Sequence, residues 1–182
     1  MNIEYSEDIL AIDTFIESLK HHNRGVSSAA VERLIEFAPA TVEILIDAFH
    51  NSTDQSIQAY IIQALAQIGN SEAIDLLAEV IGTEIANHCQ GNVRRIAARG
   101  LGNIGSTSNN PEIINRVLEK LVWALLNPQD WGLRYAAAVS LQQIATPAAN
   151  IALQQAFHQE NDKVVRSRIA AAVNSYQLTL NS

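Results

Sequence analysis

The chain has 182 residues, 48% of them hydrophobic, with few glycines, prolines and aromatic residues, which is typical of a helical globular protein and not of a disordered or fibrous one. Its formal net charge of −7 argues against nucleic-acid binding, because contact with phosphates needs a basic face. The sequence shows no signal peptide and no apolar stretch of about 20 residues, so we expect no membrane span. A single cysteine favours a reducing compartment, and we therefore expect a cytoplasmic protein.

One helical pattern recurs along the chain. The segment SIQAYIIQALAQIG, residues 56–69, aligns without gaps to residues 92–105 and 132–145, and weaker copies cover 26–39 and 163–176. In each copy, apolar residues recur at the spacing of one helix face. We therefore predict a helix at each of the five copies.

A second amphipathic segment precedes each copy. These segments cover residues 8–22, 40–51, 72–85, 111–126 and 147–158. The fourth begins with Pro111, which suits the first turn of a helix, and no segment shows a strand pattern. The sequence thus predicts an all-α chain of about five antiparallel helix pairs, a HEAT-like α-solenoid forming a single domain over residues 1–182. In such solenoids the second, inner helix of each pair lines the concave binding face.

The sequence GLGNIG, residues 100–105, matches the spacing of the dinucleotide-binding fingerprint. That fingerprint must follow a strand and open a helix, whereas this one lies at the end of a predicted helix. Gly105 also aligns with Gly69 of the preceding copy. We therefore predict a glycine that ends the helix and small residues at a helix contact, not a nucleotide site.

Arg94 and Arg134 occupy the same position in adjacent copies, near the start of an inner helix. Packed helices lie roughly 8–10 Å apart, so two guanidinium groups placed in this way could hold two carboxylates of one ligand. Trp131 and Tyr135 flank the second arginine and could supply an aromatic wall. In the alternative, structural interpretation each arginine bonds a neighbouring acidic side chain.

The hexapeptide NHCQGN, residues 87–92, contains the only cysteine of the chain. In two other copies an aspartate, Asp54 or Asp130, precedes the inner helix and is the expected N-cap. Gln90 takes that position here, so this turn departs from the pattern and gains a thiol and an imidazole.

Cys89 and His88 are candidates for thiolate chemistry or for moving a proton on a substrate. A helix N-terminus is expected to lower the pKa of the cysteine thiol, and histidine exchanges protons near neutral pH. We expect no metal site, because no second cysteine or nearby histidine completes a ligand set. In the alternative interpretation the thiol is packed in a turn and the imidazole lies in solvent.

A HEAT-like chain that carries NHCQGN resembles the F-type subunits of the cyanobacterial phycobilin lyase–isomerases that act on the phycoerythrocyanin α subunit. The resemblance covers essentially the whole chain, and the repeats are shared with the wider E/F-type bilin lyases. It implies a heterodimer with an E-type HEAT-repeat subunit, in the cytoplasm or associated with the phycobilisome. The heterodimer binds phycocyanobilin as its substrate, without a separate cofactor, and attaches it to a phycobiliprotein cysteine through a thioether. It also shifts a double bond, which gives phycoviolobilin.

The resemblance places isomerisation on His88 and Cys89. The flanking motif residues match as well, and we expect them to bind substrate: Asn87, Gln90, Gly91 and Asn92. From the residue types we expect propionates to bind the two arginines and pyrrole rings to stack on their aromatic neighbours, in the set Arg94, Trp131, Arg134 and Tyr135. Two alternatives stay open: a bilin lyase or chaperone without isomerase activity, and a non-catalytic scaffold that binds a protein partner.

Overall fold

The structure, a computed structural model, describes residues 3–82, 88–126 and 129–180, with side chains described over 8–82, 91–126 and 129–178. The described residues form ten α-helices and one short 3₁₀ helix, and no strand lies among them. The chain divides into two compact units, Met1–Ala73 and Ile74–Ser182. The prediction of an all-α chain of five HEAT-like helix pairs is confirmed, whereas the single domain stays a prediction.

The first unit contains two helix pairs joined by short turns. Its helices are α1 Ile3–Ser18, α2 Arg24–Glu36, α3 Thr41–Asn51 and α4 Gln55–Ile68, followed by a 3₁₀ turn over Ser71–Ala73. The inner helices α2 and α4 pack against each other, and α1 and α3 pack against α2 and α4 respectively. Large aliphatic side chains that exclude water fill the contact, among them Ile12, Leu34, Leu45, Ile61 and Leu65.

The second unit contains three helix pairs. Its helices are α5 Ile74–Gly82, α6 His88–Thr107, α7 Pro111–Leu125, α8 Trp131–Ile144, α9 Pro147–Gln159 and α10 Lys163–Leu180. The inner helices α6, α8 and α10 pack side by side, and each of them also contacts its own outer helix. The side-by-side packing brings the start of α8 against the second turn of α6 and so positions the candidate site.

Several helices begin where the sequence predicts a cap. Asp54 accepts hydrogen bonds from two backbone amides at the start of α4, and Asp130 accepts one at 3.0 Å at the start of α8. Asn110 caps α7, whose first residue is Pro111. These side chains satisfy amides that have no partner inside the helix, so the predicted starts of these three helices are confirmed.

The prediction that Gly105 ends its helix is wrong. Helix α6 continues to Thr107, and of the described glycines only Gly69 has a positive φ, at 69°. A Cβ added at Gly105 would lie 2.8 Å from a methyl group of Ile144, and one added at Gly102 would lie 2.5 Å from the Cβ of Ser140. The missing side chains therefore let α6 and α8 approach closely, and the predicted helix contact through small residues is confirmed.

None of the described helices combines the length and the hydrophobicity that a membrane crossing requires.

Candidate functional site

The hexapeptide NHCQGN leads into α6. Asn87 lies outside the described residues, and side chains of this segment are described from Gly91 onward. Helix α6 begins at His88, three residues earlier than the starts of α4 and α8 predict by alignment. The prediction of Gln90 at the N-cap position is therefore wrong, because its backbone is helical. Glutamine is a good helix former and a poor cap, so nothing in the sequence stops the helix there.

The backbone of Cys89 consequently lies in the first turn of a long helix. Amide groups of a first turn have no partner within the helix and carry part of the positive end of the helix dipole. Further along the motif, Gly91 is buried and Asn92 is exposed.

Arg94 is buried immediately after the motif, with its side chain 7% exposed. Its Nε donates a hydrogen bond of 2.8 Å to the main-chain oxygen of Ile81, in the last turn of α5. Its Nη1 lies 3.7 Å from a carboxylate oxygen of Asp130, at the start of α8. Burial lowers the pKa of the Arg94 guanidinium, and the Asp130 carboxylate acts in the opposite direction. One side chain thus connects three helices around the start of α6.

The Asp130 carboxylate serves two arginines as well as its own helix. It caps α8, and Nη2 of Arg95 lies 3.6 Å from its Oδ1, while Arg94 faces Oδ2. The aspartate is 5% exposed. Two guanidinium groups therefore share one buried carboxylate, and among the residues whose side chains are described this cluster carries an excess of positive charge in an otherwise acidic chain.

The guanidinium of Arg95 lies between the ring of Trp131 and Gly132. The carbon of its guanidinium is 5.6 Å from the centroid of the Trp131 ring, a cation–π contact, and the tryptophan is 51% exposed. A Cβ on Gly132 would lie 2.2 Å from Nε of Arg95, so only glycine leaves room for the guanidinium in this position. Sequence reasoning missed Arg95. The signal that was available is its place beside Arg94, one residue from the aligned position of Arg134.

Arg134 has its own carboxylate. It donates two hydrogen bonds to Glu160, from Nε at 2.6 Å and from Nη2 at 3.0 Å. Burial acts to raise the pKa of Glu160, but hydrogen bonds from Arg134 and from the backbone amides of Asp162 and Asn161 outweigh it, and the pKa is lowered. Arg134 also lines an open cleft of about 320 Å³, together with Leu125, Leu126, Ala156, Gln159, Glu160 and Asn161.

The structure thus places the predicted site residues in two groups. Arg94 and Trp131 join the cluster around Asp130, beside the start of α6. Arg134 belongs with Glu160, and the half-buried Tyr135 follows it on α8. Each arginine forms an ion pair with a carboxylate of the following repeat, which is the arrangement of the structural interpretation.

Comparison with known proteins identifies the repeats and the relatives. A sequence profile described as HEAT repeats matches residues 83–174, and one described as PBS lyase HEAT-like repeat matches residues 57–83. The bilin biosynthesis protein PecF of Nostoc sp. is 64% identical over 164 residues, which cover 90% of this chain and 95% of that protein. PecF of Mastigocladus laminosus is 58% identical, over 91% of this chain and 79% of its own.

A solved relative shows the same architecture. In the structure of the complex of CpcE and CpcF of phycocyanin lyase from Nostoc sp., one chain superposes on this one with a TM-score of 0.76 and 28% identity, covering 90% of this chain and 98% of that one. The identity to PecF and the coverage of both chains are sufficient to assign the family. The chain belongs to the E/F-type family of HEAT-repeat bilin lyase subunits.

Proposed function

We propose that this chain is the F-type subunit of a heterodimeric lyase–isomerase. The enzyme attaches phycocyanobilin to a cysteine of the phycoerythrocyanin α subunit and converts the bilin to phycoviolobilin. The observation that carries the proposal is NHCQGN at the start of α6, in a chain that is 64% identical to PecF. The complex of CpcE and CpcF supports an E-type subunit as the partner. The single cysteine supports a cytoplasmic location.

The double-bond shift needs two proton transfers and no change in composition. One carbon of the pigment loses a proton and another carbon gains one, so both positions need acid–base catalysis. We assign this shuttle to His88. Cys89 either adds transiently to the bilin or acts as the second acid–base group, and its place in the first turn of α6 favours the thiolate that either role uses.

The start of α8 supplies surfaces for the pyrrole rings. Trp131 exposes half of its surface beside α6, and Tyr135 lies one turn further along the same helix. We propose that both rings stack on the bilin. The motif residues Asn87, Gln90, Gly91 and Asn92 are proposed to contact the substrate around the reacting carbons.

The two predicted arginines differ in what they can offer a propionate. Arg94 is buried and holds Ile81 and Asp130, so we assign it to the framework of the site. Arg134 lines an open cleft, and we propose that it contributes to binding one propionate, for which the ligand would compete with Glu160.

The test is the chromophore that the enzyme produces. The chain would be coexpressed with an E-type subunit, the apo phycoerythrocyanin α subunit and a source of phycocyanobilin, with the same cells lacking this chain as the control. The product is then denatured in acid, and its absorption spectrum identifies the bound bilin. A phycoviolobilin adduct that requires this chain is the expected result. A phycocyanobilin adduct would indicate a lyase without isomerase activity, and no adduct above the control would indicate a scaffold.

A further inference from the structure

We propose that Arg95, held between Trp131 and Gly132, is a carboxylate-binding subsite that anchors one propionate of the bilin. This inference rests on the proposed function, since it takes a bilin as the ligand. It assigns a role to a residue that lies outside NHCQGN, and it names the chemical group on the substrate that the residue recognises.

The charges of the cluster favour an anion. Arg94 and Arg95 face the single carboxylate of Asp130, at 3.7 Å and 3.6 Å. Both distances are longer than a hydrogen bond. One oxygen of Asp130 also accepts a hydrogen bond from a backbone amide in the first turn of α8. One positive charge of the cluster is therefore uncompensated by the described residues, and the first turn of α8 adds its dipole.

The geometry leaves part of the Arg95 guanidinium available. The side chain is 40% exposed, whereas its Nε is buried and lies out of reach of a ligand. Trp131 covers the guanidinium at 5.6 Å, and the missing Cβ of Gly132 makes the space in which it lies. A planar guanidinium fixed against a ring presents its edge, which is the geometry that binds a carboxylate with two hydrogen bonds.

The position of Arg95 suits a ligand that reacts at the motif. Arg95 follows His88 by seven residues, two turns of the same helix, which is about 10 Å along its axis. Positions seven apart lie on nearly the same face of a helix. A bilin that is anchored at Arg95 and stacked on Trp131 can therefore extend towards the first turn of α6, where its double bond is moved.

The test compares phycocyanobilin with its dimethyl ester, which keeps the pigment and removes both carboxylates. Each is titrated into the complex of this chain with its E-type partner, and binding is followed by the absorption change of the bilin. We expect the unmodified complex to bind the acid about tenfold more tightly than the ester. In Arg95→Gln we expect part of this preference to disappear, because the acid loses one of its two carboxylate contacts and the ester loses none.

Two further variants distinguish a loss of carboxylate binding from a folding defect. Arg95→Lys keeps the charge but not the planar fork, and we expect it to restore only part of the preference. Gly132→Ala displaces the guanidinium without removing it and should also reduce the preference. The matched control is Arg116→Gln, which removes a guanidinium that is 46% exposed and paired with Asp75 on α5. This control should keep the preference of the unmodified complex.

The tryptophans give a second readout with an internal control. The chain has two, Trp131 at 51% and Trp123 at 47% exposure. Trp131→Phe should reduce the quenching of tryptophan fluorescence by the bilin, whereas Trp123→Phe should preserve it.

The possible failures are distinguishable. An Arg95→Gln variant that weakens acid and ester equally overturns the subsite and leaves the proposed function standing. A complex that binds acid and ester equally overturns the subsite and the propionate contact of Arg134, and leaves the lyase–isomerase activity standing. A variant that weakens the heterodimer while keeping the preference for the acid assigns Arg95 to a carboxylate of the partner subunit, which also overturns the subsite. A complex that binds neither pigment overturns the subsite and the proposed function together.

Discussion

The Nε of Arg94 donates a hydrogen bond to the main-chain oxygen of Ile81 at 2.8 Å. Ile81 lies in the last turn of α5 and Arg94 in the second turn of α6, so one side chain joins the two ends of the connection that leads into NHCQGN. The same guanidinium faces Asp130 at the start of α8. The motif is therefore attached to a frame of three helix ends, and we infer that Arg94 positions it.

Replacing Arg94 by glutamine should destabilise the fold and misplace the motif. The buried main-chain oxygen of Ile81 then loses its charged donor, and Asp130 keeps only the partly exposed Arg95, so we expect a loss of about 2 kcal/mol in the free energy of unfolding. The midpoint of unfolding in urea measures the loss. Folded variant enzyme should also give a larger share of phycocyanobilin adduct, because attachment tolerates a displaced motif better than isomerisation does.

The control for this substitution is Arg116→Gln, which breaks an exposed ion pair with Asp75. Exposed pairs contribute little, so stability and product should both stay close to those of the unmodified chain. If Arg94→Gln kept the stability and the product of the unmodified enzyme, the positioning role would be wrong.

Alanine at Gly102 should weaken the contact between α6 and α8. Its Cβ would lie 2.5 Å from the Cβ and 2.9 Å from the Cα of Ser140, so the two helices must separate. We expect a loss of about 1–3 kcal/mol in the free energy of unfolding, although alanine is the better helix former. Gly82→Ala is the matched exchange, because among the described residues no atom outside its own helix backbone lies within 4 Å of its added Cβ. Equal destabilisation at both positions would contradict the close approach.

Acid should unfold the chain partly through Glu160. The pKa of this carboxyl lies below its ordinary value of 4.5 in the folded protein, so its ionised form favours folding above that pH. This contribution is lost as the pH falls through the folded pKa. Glu160→Gln should be less stable than the unmodified chain at pH 7 and should show a smaller further loss between about pH 5 and about pH 3.

The matched control for Glu160 is Glu36→Gln, at an exposed ion pair with Arg33. It should keep the acid sensitivity of the unmodified chain. Unfolding in urea at a series of pH values measures the free energy of unfolding of both variants. If this free energy fell with pH in Glu160→Gln as steeply as in the unmodified chain, Glu160 would not be a source of the acid sensitivity.

The helices and their caps could be predicted because their signals are local. Apolar spacing fixed the ten helical segments, and Asp54, Asp130 and Pro111 marked three starts. The start of α6 was predicted less well, since Gln90 neither caps nor breaks a helix. Gly105 was assigned to a helix end for a local reason, but its neighbour Ile144 lies on another helix, and sequence spacing does not show that contact.

The candidate site was predicted in part. The hexapeptide and the aromatic residues of α8 can be selected from residue type, and the structural interpretation predicts the bonding of Arg134 to a neighbouring acid. The sharing of Asp130 between two arginines depends on how adjacent repeats face each other. The Arg95 guanidinium occupies space that is free because Gly132 has no side chain. The spacing of residue types along the sequence does not show this space.

The most direct test of the account is the product that the Cys89→Ser enzyme forms. The variant would be expressed with the E-type subunit, the phycoerythrocyanin α subunit and a phycocyanobilin source, and the acid-denatured adduct would be compared with that of the unmodified enzyme. The account predicts phycoviolobilin from the unmodified enzyme and phycocyanobilin from the variant, with adduct still formed. Phycoviolobilin from both enzymes in equal share would contradict the role of the motif at the start of α6.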